Sequence, residues 1–295
     1  VLAIKKTKAD VEDWCLSTDG IFHVRDAMRE MQLDKSQEQT LRTALTRLVS
    51  DGILVRVGGK IGNYRLVEDD DEDIDIFGES KFFNEFRWPF PLHKYVRVGR
   101  KGLVVIAAEQ GLCKTGFCLN VAMMNAETYQ NRIWYYDSET GPDLLQERLF
   151  AMDSDLKPPL PFHLKSMPAN PEDAVKKHPD DIVILDYVEE PEEAWRVAGI
   201  LKRLSDVTRE GMVVVALQKP PGRDAAYGGP QVLGKPQLYL AASTVEGVKQ
   251  LKIVKCKSRV NGNVNPENKI WTFQLENLGT HFTNIYPPAI DDEIF

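Results

Sequence analysis

Hydrophobic and polar positions change period twice along this chain. Up to about residue 50 the apolar residues recur at helical spacing, in segments near Lys8–Leu16, Val24–Met31 and a third that opens at Ser36, a favourable N-cap. In the third, Leu41, Leu45, Leu48 and Val49 share one face, and Asp51-Gly52 ends it. ILVRV (53–57) and NYRLV (63–67) then alternate apolar and polar residues across Gly58-Gly59, which predicts a β-hairpin. Beyond residue 95 the period changes again. The runs LVVIAA (103–108), IWYYD (133–137), IVILD (182–186) and MVVVAL (212–217) alternate with helical patterns at 114–126, 142–150 and 192–210. Unbroken apolar strands interleaved with helices predict an α/β fold, its mostly parallel sheet covered on both faces. Shorter strands beyond residue 237 (YLAAST, LKIVKCK, IWTFQLE) predict C-terminal antiparallel hairpins.

Between the two halves lies EDDDEDID (68–75), nearly all carboxylate. Like charges at that density repel and bury no apolar area, so a solvated linker is expected. The aromatic stretch FGESKFFNEFRWPFPLH (77–93) reads as an arm that packs on its own domain or on a neighbouring subunit. These features divide the chain into 1–67, a linker and arm at 68–94, and 95–295. Three helices followed by a hairpin resemble the winged-helix fold, a small α+β domain whose third helix can enter a DNA groove. That likeness implies DNA contact through Arg42, Arg47 and Lys60, or protein contact instead.

Composition sets bounds on this picture. With 295 residues, 43% hydrophobic and 27% charged, the chain can build one large or two modest cores. A net charge of −7 argues against a uniformly positive surface, though a local basic face stays compatible with nucleic acid. Four dispersed cysteines, with no CxxC pair, suggest neither a zinc site nor a disulfide framework, and fit a reducing cytoplasm. No apolar run approaches a membrane span, and VLAIKKTKAD is not a secretory signal; lacking Met, it suggests a trimmed start.

The candidate chemistry begins where the first buried strand ends. Residues 108–115 read A-E-Q-G-L-C-K-T, and a helical pattern follows at once. A phosphate-binding loop needs inward N–H groups, a lysine for the β- and γ-phosphates and a hydroxyl on Mg²⁺. Ala108, Glu109, Gln110, Gly111, Leu112, Cys113, Lys114, Thr115 and Gly116 would supply them. Cys113 stands where that pattern has its second glycine, so its side chain is expected to crowd the nucleotide or shift the loop. IWYYD runs into Asp137-Ser138-Glu139, expected beside the phosphate-loop strand, and Glu139 is the candidate base for an attacking water, or else a helix-capping acid. Asp186 ends IVILD and would hold Mg²⁺ through water with Thr115; Glu189 or Glu190 is the alternative base. Gln218 ends the fourth strand, where an amide could sense a γ-phosphate. Lys255, Lys257 and Arg259 alternate along a predicted strand and so would share one face.

In this order, AEQGLCKT, YYDSE, VILDY, VALQK with GRDAAYGG, and KCKSR resemble the RecA-like P-loop ATPase superfamily, most of all the RepA-like and DnaB-type hexameric helicase ATPases. The resemblance covers about 180 residues after the linker. It implies ATP and Mg²⁺ in a cleft at the C-terminal ends of parallel strands, with Lys114 and Glu139 catalytic and Gln218 as sensor. It also implies a homo-oligomer, a hexamer among the options, with Lys257 and Arg259 supplied in trans. Single-stranded DNA would meet Arg223 and Tyr227 in a central channel. The alternative function is a regulatory adaptor whose degenerate loop binds nucleotide weakly or not at all.

Overall fold

A computed structural model describes residues 8–16, 18, 20–58, 62–67, 82–189 and 196–286. The acidic run 68–75, Lys60 and Glu190 lie outside the described residues. The chain divides into two compact units, Val1–Gly78 and Glu79–Phe295.

In the first unit, α1 (Lys8–Leu16), α2 (Val24–Glu30) and α3 (Glu38–Ser50) surround a small sheet of β1 (Phe22–His23), β2 (Leu54–Arg56) and β3 (Asn63–Leu66). The hairpin forms as the alternation predicts, with Leu54 opposite Leu66 and Arg56 opposite Tyr64. β1, too short to leave a periodic signal, pairs on the other side of β3. Leu41, Leu45 and Leu48 are buried with Val24, Ala27 and Tyr64, while Val49 only packs against that cluster. Helix entry differs from expectation. Asp34, not Ser36, caps a 3₁₀ turn at Lys35–Gln37, accepting from the backbone N–H of Ser36 and Gln37. A carboxylate accepts two such bonds readily, and Ser36 instead donates its hydroxyl to Asp34.

The second unit is α/β. Among the described residues its sheet has nine strands: β4 (Gly102–Ala108), β5 (Ile133–Asp137), β6 (His163–Ser166), β7 (Ile182–Val188), β8 (Met212–Gln218), β9 (Leu238–Val245), β10 (Val248–Cys256), β11 (Ile270–Glu276) and β12 (His281–Tyr286). The order is β12-β11-β10-β9-β4-β8-β7-β5-β6. Pairings from β9 through β6 are parallel, and β9 to β12 form antiparallel hairpins. Every residue of β4 is buried, as a central parallel strand requires. Helices α4 (Lys114–Asn125), α5 (Pro142–Met152), α6 (Pro171–Lys177) and α7 (Val197–Val207) connect the strands. Among the described residues no helix is long and apolar enough to cross a membrane.

The aromatic arm belongs to this second unit rather than to a separate linker. Phe86, Trp88, Phe90, Leu92, Val96 and Val98 join the core beside Phe117 of α4. Asn125, wholly buried at the end of α4, donates to the Arg87 carbonyl and accepts from its N–H, both at 2.8 Å. Phe90 meets Phe273 and Phe282 with ring centroids 5.3 and 5.1 Å away. Phe90→Ala is therefore expected to cost about 3–5 kcal/mol in a denaturant unfolding series, the range for removing a buried aromatic side chain. A loss below about 1 kcal/mol would show that the arm is not part of the core.

Candidate nucleotide and metal site

The C-terminal ends of β4, β5, β7 and β8 open onto a cleft of about 600 Å³. Gln110, Gly111, Leu112, Cys113, Lys114, Thr115 and Gly116 line it, and so do Glu139 and Gln218. Gly111 takes φ +69, the left-handed conformation a side chain disfavours, and this lets the loop reverse before α4 begins at Lys114. Lys114 extends over the Tyr187 ring, its Nζ 4.9 Å from the centroid. Ala108 and Glu109, also expected at the nucleotide, do not line the cleft and tie the loop to β8 and β9. Ala108 accepts from the Lys219 N–H. Glu109 pairs with the fully buried Lys219 ammonium at 3.3 Å and accepts from the Thr244 N–H.

Cys113 lines the cleft, yet its side chain belongs to the buried core. It is 3% exposed, packed in the core under the loop, and its φ of −143 lies outside the region that favours glycine. Burial pushes its thiol up to about 12, against a smaller downward pull from Lys114, so it stays protonated. Gly116 is needed for a different reason: a Cβ there would lie 1.9 Å from the Gly279 carbonyl oxygen.

Asp186 and Asp137 sit opposite one another on β7 and β5. Asp186 is 2% exposed. Its Oδ2 accepts from the Tyr135 hydroxyl at 2.5 Å, whereas its Oδ1 has no partner in full hydrogen-bonding geometry among the described residues, although the Thr115 hydroxyl lies near enough to favour the charged carboxylate. Burial raises the Asp186 carboxyl above its ordinary range; the Tyr135 and Thr115 hydroxyls pull it down, Asp137 pushes it up, and Lys114 pulls it down again. A buried carboxylate oxygen without a fully aligned donor, facing Lys114 and Thr115, fits a hydrated Mg²⁺. Such an ion takes one or two carboxylates and completes its shell with water and substrate phosphate. No group of three or more His, Cys, Asp or Glu side chains among the described residues is placed to hold a metal alone.

Several expectations need correction. β5 is not beside β4: β8 and β7 lie between them, yet Glu139 still reaches the cleft because it lies beyond the strand end. Glu139 is exposed and does not cap α5; Asp137 takes the turn N–H groups of Thr140 and Gly141 instead. Glu189 accepts from the Tyr187 hydroxyl at 2.7 Å and does not line the cleft. Lys257 and Arg259 do not continue the alternation of Lys255, because β10 ends at Cys256 after a bulge between Ile253 and Lys255. Lys255 is tied to the carbonyls of Leu233 and Gly234, and Lys257 donates to that of Lys235. Since Cys256 pairs with Leu238, which lies beside Val104, both later cations sit at the sheet end opposite the cleft. They cannot reach a phosphate bound to their own protomer's loop.

Arg223 is exposed and Tyr227 is 46% exposed on the segment after β8, where the Tyr227 N–H donates to the Gln218 carbonyl. In the first unit Arg47 is exposed, but Arg42 is paired with Glu38 at 2.8 Å. Sequence reasoning missed Arg148 of α5, Tyr187, Leu275 of β11, and Leu278 and Gly279 at the turn between β11 and β12, all of which line the cleft. Only Tyr187 had a signal, its adjacency to Asp186. Compared with models of known protein families and with curated proteins, the chain matches none.

Asp186 has a pH signature. Its pKa is higher folded than unfolded, so the native state binds more protons than the unfolded chain between the two values. The charged carboxylate thus lowers stability at neutral pH, and that cost fades as pH falls through the raised pKa. Asp186→Asn is expected to raise the melting temperature at about pH 7 and to converge with the parent near about pH 4. A variant that melts lower at neutral pH would mean the charge is already compensated without metal.

Proposed function

We propose that this chain is a RecA-like P-loop ATPase, related to the RepA-like and DnaB-type hexameric helicase ATPases, that carries a winged-helix unit and acts on DNA as a helicase, loader or accessory motor. The observation that carries the reading is the approach of the Lys114–Thr115 loop–helix junction to the buried Asp186 of β7, with Glu139 and Gln218 on the cleft that Lys114 and Thr115 line.

Backbone N–H groups of Gln110–Gly116 and the start of α4 would hold the phosphates of ATP, with Lys114 balancing their charge. Thr115 and Asp186 would hold Mg²⁺, which when bound neutralises charge on the β- and γ-phosphates. Glu139 orients the attacking water and accepts its proton as the new oxygen–phosphorus bond forms and the bond to the ADP oxygen breaks. Gln218 lies between the loop strand and the Asp186 strand, since β8 separates β4 from β7. Loss of the γ-phosphate would be felt there and passed through the Gln218–Tyr227 backbone bond to the Arg223–Tyr227 segment, the proposed contact for single-stranded DNA. Lys257 and Arg259, turned away from their own cleft, suit a neighbouring protomer's nucleotide in a homo-oligomer, stabilising charge in the transition state. Arg42 and Arg47 would add duplex contact from the first unit.

Phosphate release from ATP, measured with and without single-stranded DNA at low salt, tests this. DNA should stimulate turnover. Lys114→Ala should remove nucleotide binding, and Glu139→Gln should lower turnover by about 10²–10⁴ while ATP still binds. An unstimulated rate would remove DNA from the proposal. Hydrolysis that appears only in Cys113→Gly would instead make the native chain a nucleotide-binding adaptor.

A further inference from the structure

We infer that Lys219 is a positioning residue for Gln218: its buried ion pair with Glu109 holds the Gln218 amide against the phosphate loop, and serves that coupling rather than the stability of the fold. The inference rests on the ATPase reading above. Successive residues of a strand point to opposite faces. At the end of β8 this sends Gln218 to the cleft and the next side chain, Lys219, away from it. The Lys219 side chain is wholly buried, and its ammonium meets Glu109 at 3.3 Å.

Both partners sit one residue from a group in the cleft. Glu109 precedes Gln110, and Lys219 follows Gln218. The backbone adds a second tie, because the Lys219 N–H donates to the Ala108 carbonyl at 3.0 Å. The other carboxylate oxygen of Glu109 accepts from the Thr244 N–H at 3.2 Å, which brings in the end of β9. Just beyond Lys219, Pro220 and Pro221 have fixed φ and no N–H, so the chain leaves β8 stiffly toward Arg223 and Tyr227. The Tyr227 N–H returns to the Gln218 carbonyl at 3.1 Å, and Asp224 is paired with Lys252 of β10 at 2.8 Å. A displacement of this segment therefore reaches Gln218, and the ion pair sets how it is passed to the loop.

Energetics separate a coupling role from a stabilising one. Taking two charges out of water is costly, and an apolar pair of similar volume in their place is often neutral or stabilising. This pair is far from ideal. An ammonium has three donors, and among the described residues Lys219 has one acceptor. Such a pair adds little net stability, yet removal of one partner alone leaves the other charge stranded in the core. Both charges must therefore be removed together to see what the pair does.

The test compares the full chain with its Glu109→Gln/Lys219→Met variant, which removes both charges, keeps an acceptor for Thr244 and conserves side-chain length. Melting temperature is recorded, and ATP turnover is measured with single-stranded DNA present. The double variant should melt at or above the parent. Its KM for ATP should stay within about threefold of the parent's. Its kcat should fall by about 10–100-fold, the scale of a small misplacement of an active-site group. In Gln218→Ala, where the amide is gone, the same two changes should lower kcat no further, because groups that act as a unit are not additive. Parent kcat in the double variant, a loss confined to KM, or a loss that adds to that of Gln218→Ala would each overturn the inference. So would a melting temperature well below the parent's, which would make the pair a stabilising one. A parent that does not turn over ATP would overturn the ATPase reading itself, and the positioning role with it.

Discussion

Asp186 lies almost out of water, with one oxygen bonded to Tyr135 and the other without a fully aligned donor among the described residues. Removing a charge from water is costly unless something meets it, and here burial has already raised the pKa of the group. β5 meets Asp186 with the Tyr135 hydroxyl and with the like charge of Asp137, and the cations and hydroxyls that can offset its charge otherwise come from the Lys114–Thr115 turn at the start of α4. Metal and triphosphate would complete that contact.

The rest of the second unit holds α4 in place to face that carboxylate. At its N-terminal end Gly116 abuts the Gly279 carbonyl and Asn120 bonds to Thr280. At its C-terminal end Asn125 pairs with the backbone of Arg87 in the aromatic arm. Behind the loop, the buried Glu109–Lys219 pair joins the ends of β4 and β8, and Thr244 adds β9. The loop before α4 is thereby fixed on three sides, as a loop proposed to gather its backbone N–H groups around an anion would need to be. Gln218, one residue before Lys219, shares that anchorage.

How much of this was legible follows from where the signals lie. β4, β5, β7 and β8 were readable because central parallel strands are continuous apolar runs bounded by turns. β6 was not, because His163–Ser166 is a half-exposed edge strand without a hydrophobic run. Lys114, Thr115, Glu139 and Gln218 were singled out because each ends such a run or lies in or just after the turn that follows it, and all four line one cleft. Cys113 was read from its residue type alone; that its side chain belongs to the buried core is visible only in the folded chain. Arg148 and Leu278 reach the cleft from an amphipathic helix and a distant hairpin turn, and only the folded chain brings them to the loop. Lys257 and Arg259 were assigned by alternation, which a bulge and the end of β10 interrupt.

The most direct test of the central claim is the affinity for ATP with Mg²⁺ and with a chelator, measured on the same protein by titration calorimetry. If Thr115 and Oδ1 of Asp186 receive a metal-bound triphosphate, binding tightens sharply with Mg²⁺ and nearly disappears without it. An ATP affinity indifferent to the metal would contradict the account.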